Sequence, residues 1–470
     1  MKQVKKENDL NEVIEENEME NGKIYKLLLK FSLPAIVGML VNALYNVVDS
    51  IFIGRGVGDL ALAGVTVGLP LMTIFMACVM LIGMGATSLI SIRMGQKKEE
   101  EAEVIVGNAL VLFIVIGITL TALGLIFIKP ILRSFGASPA TLPFAVDYMR
   151  IILLGSVFMA IGLGMNNFIR AEGNPKIAMN TMLIGAITNI ILDYIFIFIF
   201  KWGIKGAAIA TIMSYMVTST WVIYHFISGK SKLKIKRDNL KLKALMVKSI
   251  LIIGFPTFAM QITSSIQHLI LNRSLAHYGG DMALAAIGII MSVSTLLVMP
   301  AMGISQGAQP IIGYNYGAKR YGRVKDTLKL SLAAASIIVT LGYLVSRFWP
   351  AQLIGLFNQK PELVELGTHA IGIFFKFLPL IGVQIMSASY FQAVGKPRQA
   401  TILSLSRQVF IFIPLLLILP LRWGLEGIWW SGPLSDVAAF VLTGVWLWFE
   451  IRHLTRTEDL YKDSTAEIRA

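Results

Sequence analysis

The sequence predicts an all-α polytopic membrane protein with about twelve transmembrane helices in two parallel six-helix repeats. Three observations predict this class: an apolar composition, long uninterrupted apolar runs, and a second half that repeats the first. Of the 470 residues, 55% are hydrophobic and 15% are charged, whereas soluble domains carry about 25% charged residues. Lipid tails accept such an apolar surface and water does not.

The apolar runs lack strand-like alternation, so helices are predicted and a transmembrane barrel is not. Each run can cross a hydrocarbon core of about 30 Å, which takes roughly 20 helical residues. The first, second, seventh and eighth runs are longer, which predicts tilt or bending. Divided at its charged breaks, the chain has spans near 26–54, 61–92, 103–128, 144–169, 176–200, 206–228, 248–277, 282–314, 327–348, 364–392, 399–421 and 425–451.

The two halves match at an offset of 222 residues, beginning with Pro34 and Pro256, which each open an apolar run. An even number of spans in each half makes the repeats parallel, and a parallel pair forms a cleft that rocking opens to one side at a time. Further pairs at this offset are Asp59 with Asp281, Gly85 with Gly307, Lys97 with Lys319, Gly173 with Gly395 and Pro175 with Pro397. After one deletion the offset becomes 221, at which Gly206 meets Gly427.

The domain prediction follows from the repeat and from the polar segments that flank it. It consists of a cytoplasmic tail at 1–24, an amino-terminal six-helix bundle at 25–228, a basic cytoplasmic linker at 229–247, a carboxy-terminal six-helix bundle at 248–452 and a cytoplasmic tail at 453–470. We expect the chain to work as a monomer.

The net charge of +14 predicts topology, not a nucleic-acid partner. Cytoplasmic loops collect Lys and Arg, so both termini and the linker are predicted to be cytoplasmic in a multi-pass inner (plasma) membrane protein. The charge is not interleaved with aromatic residues, as single-stranded nucleic-acid sites require, and contact with lipid headgroups is expected instead. It is concentrated around the connector of spans six and seven at Lys230, Lys232, Lys234, Lys236, Arg237, Lys241, Lys243 and Lys248, and around the connector of spans eight and nine at Lys319, Arg320, Arg323, Lys325 and Lys329.

Two carboxylates lie deep in spans of the first half, where ionisable residues are rare and usually functional. Asp49 in span one shares a helix face with Tyr45 and Asn46, and Asp193 in span five shares a face with Asn189. Their oxygens, with the Thr211 hydroxyl at comparable depth in span six, can hold a hard cation such as Na⁺.

The same carboxylates can instead take protons, and a close pair titrates as a unit. No cofactor is expected beyond this coupling ion, H⁺ or Na⁺. The second repeat lacks the set, because the positions matching Asp49, Asn189, Asp193 and Thr211 are Leu271, Ile411, Leu415 and Gly432. The fold is duplicated but the ion chemistry is not. A purely structural polar cluster is the alternative.

For each of the other polar residues in the spans, the sequence leaves two interpretations open. Arg407 and Asp436 lie on neighbouring spans, as a structural ion pair or as part of a gate. His268 is a proton carrier or a simply hydrogen-bonded histidine, and Lys376 and Arg273 either line the cleft or reach an interface. Flexible thioethers and aromatic rings accommodate varied apolar and planar cationic ligands, so the substrate-cleft candidates are Tyr45, Asn46, Met39, Met260, Gln267, His268 and Met291, with core packing as the alternative for the methionines.

Four motifs resemble those of the multidrug and toxic compound extrusion (MATE) family over about residues 28–450. They are Val-Asp-Ser-Ile-Phe-Ile-Gly at 48–54, Ala-Glu-Gly-Asn-Pro at 171–175, Gln-Pro-Ile-Ile-Gly-Tyr-Asn-Tyr-Gly-Ala at 309–318 and Ala-Val-Gly-Lys-Pro at 393–397. The resemblance implies a V-shaped pair of six-helix bundles that exports drugs in exchange for protons or sodium ions.

The resemblance also implies site residues. Asp49, Asn189, Asp193 and Thr211 match a cation site in the first half of bacterial and archaeal relatives. Some relatives carry acids in spans seven and ten, where this chain has Gln261, Gln267, His268 and Lys376, which argues against a sodium site in the second half.

The predicted function is therefore secondary active efflux of cationic or amphipathic drugs by alternating access. The chain has no P-loop and no readable Ser/His/Asp arrangement, so it is predicted not to be an enzyme. A lipid-linked oligosaccharide flippase is one rival, although such a cleft is expected to be rich in Arg and Lys. A non-transporting membrane scaffold is another, although it needs no buried carboxylate pair.

Overall fold

The structure is a computed structural model that describes residues 18–229 and 231–467, with side chains described up to residue 459. Residues 1–17 of the predicted amino-terminal tail, Lys230 of the linker, and residues 468–470 of the predicted carboxy-terminal tail lie outside the described residues. Across the described ranges the chain forms helices and no β-strand. The predicted all-α class is confirmed.

The first half of the described chain contains eight helices from Ile24 onward, two of which begin at a proline or a glycine. They are α1 (Ile24–Gly56), α2 (Asp59–Gly95), α3 (Glu99–Ile126), α4 (Ile128–Ser134), α5 (Leu142–Leu154), α6 (Ser156–Ala171), α7 (Pro175–Asp193) and α8 (Gly203–Ile227). A π-helical segment, Tyr194–Ile199, continues α7 without a break.

The second half opens with one very long helix and ends with another. Its helices are α9 (Ala244–Gly317), α10 (Tyr321–Phe348), α11 (Pro350–Gly355), α12 (Pro361–Phe374), α13 (Ile381–Ala393), α14 (Pro397–Leu405), α15 (Ile413–Ile418), α16 (Pro420–Trp423) and α17 (Leu425–Glu467). A second π-helical segment, Ser406–Phe412, connects α14 to α15.

The number of membrane spans agrees with the prediction of about twelve. Nine helices of the described chain are long and apolar enough to cross a bilayer, and two bent pairs bring the number to eleven. The 74-residue helix α9 contains two helices, because Gly280 breaks it with a φ of 61°. With that break counted, the described residues supply twelve spans.

The two bent spans occupy matching places in the repeat. Helices α5 and α6 meet at 58°, and α12 meets the segment Leu378–Ala393 at 47°. These pairs correspond to the predicted spans 144–169 and 364–392. Helices α1 and α2, which were expected to tilt or bend because of their length, are continuous over 33 and 37 residues.

The backbone conformation explains why each connector contains a glycine followed two residues later by a proline. Gly173 and Gly395 have φ values of 114° and 72°, a region that residues with a Cβ atom rarely adopt. Each glycine ends one helix, and Pro175 or Pro397 then opens the next, where its missing N–H costs nothing. The duplicated motif therefore builds the same sharp helix-to-helix connection twice.

The described residues form two compact units whose limits lie inside helices. One contains Leu33–Phe258, and the other contains Lys23–Ser32 and the residues from Ala259 onward. Each unit therefore takes the first turns of one long helix, α9 or α1, from the opposite half of the sequence.

Glycine allows these first turns to pack closely in both units. In the first unit, a Cβ atom on Gly85 would lie 2.0 Å from the Ile250 carbonyl oxygen, and one on Gly254 would lie 1.7 Å from the Leu81 carbonyl oxygen. In the second unit, a Cβ atom on Gly307 would lie 2.6 Å from the backbone nitrogen of Ser32. Gly85 and Gly307 are a repeat pair, so the duplicated glycine marks a duplicated helix crossing.

Two buried side chains of helix α3 form hydrogen bonds with the basic connector between the halves. Glu103 accepts a hydrogen bond from the Lys234 backbone N–H at 3.2 Å and pairs with Lys236 at 2.5 Å, which raises the pKa of that ammonium. Asn108 donates to the carbonyls of Asn239 and Lys241 and accepts from the Lys243 backbone N–H at 2.7 Å. The connector therefore folds back on the first unit.

A third buried side chain holds the start of the same connector. Glu172, from the first Gly-x-Pro motif, forms hydrogen bonds with His225 and Ser231 and accepts a bond from Asn174 at 3.2 Å. Its carboxylate has no exposed surface. The end of α8 and the beginning of the connector are thereby fixed to the α6–α7 connection.

We predict that Gly254→Ala destabilises the protein, because its methyl group would overlap the backbone of α2. The expected loss is about 1–3 kcal/mol of unfolding free energy, measured by thermal unfolding of the purified protein in detergent. Gly288→Ala is the matched control, since a Cβ atom at Gly288 meets nothing within 4 Å. Equal melting temperatures for the two variants would contradict the close crossing.

We predict that Asn108→Leu frees the connector while leaving the helices folded, because the second repeat carries Leu330 at the matching position. The loss of three hydrogen bonds should speed tryptic cleavage at the Lys-rich connector severalfold. Cleavage of each unfolded protein supplies the control for intrinsic susceptibility. An unchanged cleavage rate in the folded variant would show that other contacts hold the connector.

Candidate cation-binding site

The structure brings the four predicted cation-coupling residues together inside the first unit. Asp49 lies on α1, Asn189 and Asp193 lie one turn apart on α7, and Thr211 lies on α8. Asn189 is 1% exposed, Asp193 is not exposed, and Thr211 is 6% exposed. These three are removed from solvent by the packing of the protein itself.

Small side chains let α8 approach the helices that carry the acids. Ala207, Ala208 and Ala210 are fully buried one turn before Thr211, and a Cβ atom on Gly185 of α7 would lie 2.6 Å from the Thr218 side chain of α8. The close approach brings the polar faces of α7 and α8 into direct contact.

The two carboxyl groups face each other. The Asp49 and Asp193 side chains lie within hydrogen-bonding reach. Among the described residues, no N–H or O–H group donates to Asp49 Oδ1 or to either carboxyl oxygen of Asp193. Because burying an unpaired charge costs several kcal/mol, this pair needs a proton between the carboxyl groups or a cation beside them.

The neighbouring amide is turned so that its oxygen also lacks a donor. Asn189 Nδ2 donates to Thr211 Oγ1 at 3.5 Å, and Thr211 Oγ1 donates to the Ala207 carbonyl at 3.0 Å. Asn189 Oδ1 is left buried without a partner in the described chain. Four acceptor oxygens, from Asp49, Asn189 and Asp193, therefore lack a donor within the described chain. Carboxylate oxygens can take up a proton, and oxygen ligands of this kind suit a hard cation such as Na⁺.

Asp49 is the less buried of the two acids, and it lies one turn after an exposed asparagine. Its residue is half-buried, whereas Asp193 is completely buried. Asn46, one turn earlier on α1, is exposed and donates to the Asn42 carbonyl at 2.8 Å.

Two tyrosines complete the site, and sequence reasoning missed their role. The Tyr148 hydroxyl from α5 lies within hydrogen-bonding reach of Thr211, and Tyr215 from α8 lies within reach of Tyr45. Tyr215 follows Thr211 by four residues, a spacing that placed it on the same helix face. Tyr148 gave no comparable signal, because only the packing of α5 against α8 brings it to the site.

The second unit carries no such acid pair among its described residues. Leu271, which matches Asp49, is 1% exposed and packs as an ordinary apolar residue. Of the substrate-cleft candidates, Tyr45, Met39, Met260, Gln267 and Met291 are half-buried, while Asn46 and His268 are exposed. Their part in binding cargo stays a prediction.

The remaining intramembrane charges have defined neighbours. Arg407 Nε lies 3.5 Å from Asp436 Oδ1. The Lys376 ammonium lies 4.7 Å from the ring centroid of Trp430, while Arg273 is exposed. Within the described ranges, no three His, Cys, Asp or Glu side chains gather closely enough to hold a metal ion. The candidate cation-binding site has only two acids, and its other two side chains are an amide and a hydroxyl.

The fold and the site together define a polytopic membrane transport protein built from a duplicated six-helix unit. The sequence profile of the MatE family matches the chain twice, at residues 34–195 and 256–418, and the two matches begin 222 residues apart, at the repeat pair Pro34 and Pro256. The chain belongs to this family, the multidrug and toxic compound extrusion transporters, as its motifs predicted.

Individual relatives agree in sequence and in fold. The chain is 30% identical over 412 residues to the multidrug export protein MepA of Staphylococcus aureus strain MSSA476, covering 88% of this chain and 91% of that protein. It is 40% identical to the MATE multidrug transporter DinF-BH, whose solved structure matches with a TM-score of 0.84 over 90% of this chain and 95% of that one.

A third relative has the same fold and a suggested difference in function. A transporter of the MOP superfamily from Pyrococcus furiosus Vc1 (DSM3638) matches with a TM-score of 0.88 and 26% identity, over 93% of this chain and 98% of that chain. Its reported structure describes a binding pocket of reverse polarity that suggests a different function. Function must therefore be argued from the side chains of this chain.

We predict that Asp193→Leu stabilises the fold. The second repeat already carries Leu415 at this position, and the substitution removes a buried carboxyl group that accepts no hydrogen bond from an N–H or O–H group of the described chain. The expected gain in unfolding free energy is about 1–3 kcal/mol, measured by thermal unfolding at neutral pH. A clear loss of stability would show that the carboxyl group is held by favourable contacts.

Proposed function

We propose that this protein is a secondary active multidrug exporter, which exchanges cationic or amphipathic drugs for protons by alternating access in the plasma membrane. The observation that carries the proposal is the adjacent pair of carboxyl groups, Asp49 and Asp193, whose buried oxygens have no donor from the described chain. The names of its relatives, which are multidrug exporters, support the class of cargo.

The proposed cycle uses the charge state of this pair. Cargo enters from the cytoplasm, and the protein then opens to the outside. A proton from outside neutralises the pair, the cargo leaves, and the return step carries the proton inward. Each charge that moves down the membrane potential supplies about 2.3 kcal/mol per 100 mV. We also propose that both termini are cytoplasmic and that one chain suffices for the cycle.

Protons are favoured over Na⁺ by the direct approach of the two carboxyl groups, which is the arrangement of a shared proton. Na⁺ is the alternative. It would be held by Asp49, Asp193, Asn189 Oδ1 and Thr211 Oγ1, and it would supply the same positive charge to the same oxygens.

We predict that Asp49→Asn reduces ethidium efflux to the level of empty vesicles, because an amide cannot bind and release the coupling ion. The measurement is dye transport in inverted vesicles under a pH gradient alone and then under a Na⁺ gradient alone. Asp59→Asn is the control, since Asp59 is an exposed carboxylate ten residues further along the chain, and it should transport normally.

Several outcomes separate the alternatives. Efflux driven by a Na⁺ gradient and not by a pH gradient would replace protons with Na⁺ in the proposal. Normal efflux by Asp49→Asn would refute its coupling role. A protein that moves no dye under either gradient, but moves fluorescent lipids between leaflets, would be the lipid flippase; movement of neither would indicate the scaffold.

A further inference from the structure

The first unit contains an apolar cavity that lies outside the candidate cation-binding site. Its volume is about 330 Å³, which falls within the range of about 300–1,000 Å³ that is typical of small-molecule pockets. Helices α2, α3, α4, α5 and α6 contribute to its walls, and all of them belong to one compact unit. The cavity is therefore a feature of the first unit alone.

The cavity opens on an exposed apolar surface of membrane-spanning helices. Helices α2 and α3 are long and apolar enough to cross the bilayer, and their side chains Ile74 and Leu123 are exposed where they line the cavity. Met149, Ile152 and Leu153 of α5 also line it and are almost fully buried. The exposed residues therefore form a mouth toward the bilayer, and the buried residues form the floor.

The walls of the cavity offer a ligand no free hydrogen-bonding group. Ser156 is the only polar side chain that lines it. The Ser156 hydroxyl donates to the Gly117 carbonyl at 3.1 Å and lies 2.6 Å from the Thr121 hydroxyl. Such a cavity does not hold water, since a buried water needs about two to four polar partners. At this depth the bilayer supplies hydrocarbon, so an acyl chain is the occupant that matches the walls.

The cavity lies against the bend of span four. Helices α5 and α6 meet there at 58°, and the cavity is lined on both sides of the bend, by Leu153 before it and by Met159 after it. Thr121 of α3 donates to the Leu153 carbonyl at 2.6 Å, so α3 bonds directly to the backbone at the break. A chain in the cavity would fill the space between these two helices beside their bend.

Two exposed cations lie at one end of the cavity. Phe127 and Ile131 line the cavity where α3 passes into α4. Lys129 and Arg133 belong to the same short segment and are exposed. Within the described residues neither cation has an ion-pair partner, since Asp147, the only acid of α5, pairs with Lys205 at 3.3 Å. These cations are therefore available to an anionic group outside the protein.

The position of the cations along the membrane matches that of a lipid headgroup. Helix α3 begins beside the basic connector, which bonds to Asn108, and it therefore ends at the opposite membrane face. Lys129 and Arg133 follow that end directly. Basic side chains at a membrane surface attract anionic lipids, and phosphate oxygens accept strong hydrogen bonds from ammonium and guanidinium groups.

The second repeat has changed both parts of this site at the matching positions. The cations are replaced by small uncharged residues, and two floor residues are replaced by larger apolar side chains that are buried. The pairs are Lys129 with Ala351, Arg133 with Gly355, Leu153 with Phe375 and Ser156 with Leu378. Loss of the cations together with gain of bulk is expected if headgroup and chain belong to a single ligand.

We propose that this cavity binds one acyl chain of an anionic phospholipid, whose phosphate group is held by Lys129 and Arg133. The bound chain supplies contacts that Leu153 and Met159 lack on the open side of the cavity, and it thereby stabilises the bend of span four. Helix α5 also carries Tyr148 to the cation-binding site, so the lipid supports a helix that completes that site. The inference does not depend on the proposed export function.

The test uses a phosphatidylglycerol whose acyl chain carries a photoreactive diazirine group. The purified protein is reconstituted in phosphatidylcholine vesicles that contain a small fraction of this probe, irradiated, digested and mapped by mass spectrometry. We expect the adducts to concentrate on the lining segments 120–131 and 149–159. A phosphatidylcholine with the same diazirine chain should label these segments less, because its headgroup has no net charge.

Matched variants separate the chain from the headgroup. Leu153→Phe introduces the larger side chain of the second repeat and should reduce labelling of the cavity to that of other lipid-facing segments. Ile118→Phe is its control, since Ile118 is exposed on α3 and does not line the cavity. Lys129→Gln combined with Arg133→Gln should remove the preference for phosphatidylglycerol, whereas Lys201→Gln, which neutralises another exposed cation, should keep it.

Thermal unfolding gives a second readout without a photoreactive probe. A ligand that binds only the folded state raises the melting temperature. Phosphatidylglycerol added to the delipidated protein in detergent should therefore raise the melting temperature of wild type and of Ile118→Phe, and it should not raise that of Leu153→Phe. If Leu153→Phe does not fold, the variant without Lys129 and Arg133 decides the matter, because both residues are exposed and their loss leaves the core intact.

The outcomes distinguish a lipid site from its alternatives. Even labelling of all lipid-facing helices would refute the site. Equal labelling by the two probes, unchanged in the cation variants, would refute recognition of an anionic headgroup. Labelling that ethidium displaces would make the cavity a cargo pocket and overturn the inference. Specific labelling in a protein that exports no dye would leave the lipid site standing while the proposed export function fails.

Discussion

The structure depends on one electrostatic constraint, which is that two carboxyl groups are buried side by side with no donor from the described chain to satisfy them. Neither Asp49 nor Asp193 can keep a bare charge there at low cost, because the described surroundings supply no cationic side chain. In the proposed function, the coupling ion supplies the positive charge that these oxygens lack, and its binding shifts the equilibrium between conformations.

The scaffold around this site is the same in both units where the repeat is strict, and it differs where the repeat diverges. Gly85 and Gly307 provide the same close helix crossing in both units, and Gly173 and Gly395 provide the same sharp connection. At the polar junction around the acid pair, the matched positions of the two units carry different side chains. Duplication thus supplies two equivalent frames, and substitution within them gives one an acid pair and the other two leucines.

The basic connector shows how sequence reasoning can be correct and incomplete. Its Lys and Arg residues predict a cytoplasmic loop that contacts lipid headgroups, and nothing in their pattern predicts a binding partner within the protein. The structure anchors the same segment on Glu103, Asn108 and Glu172, which are distant in sequence. Each of these is a single buried polar side chain among apolar residues, so only the folded chain shows that it bonds to the connector.

The sequence by itself determined the helical class, the span number, the repeat and the deep residues Asp49, Asn189, Asp193 and Thr211, because hydropathy, offset and charge are local properties that lipid strongly constrains. Only the tertiary structure decided that Asp49 faces Asp193, that Tyr148 joins Thr211, and that Asn189 turns its oxygen away from every donor in the described chain. These facts depend on how α1, α5, α7 and α8 rotate against each other. That rotation is set by packing of small residues across helices, which no single helix records.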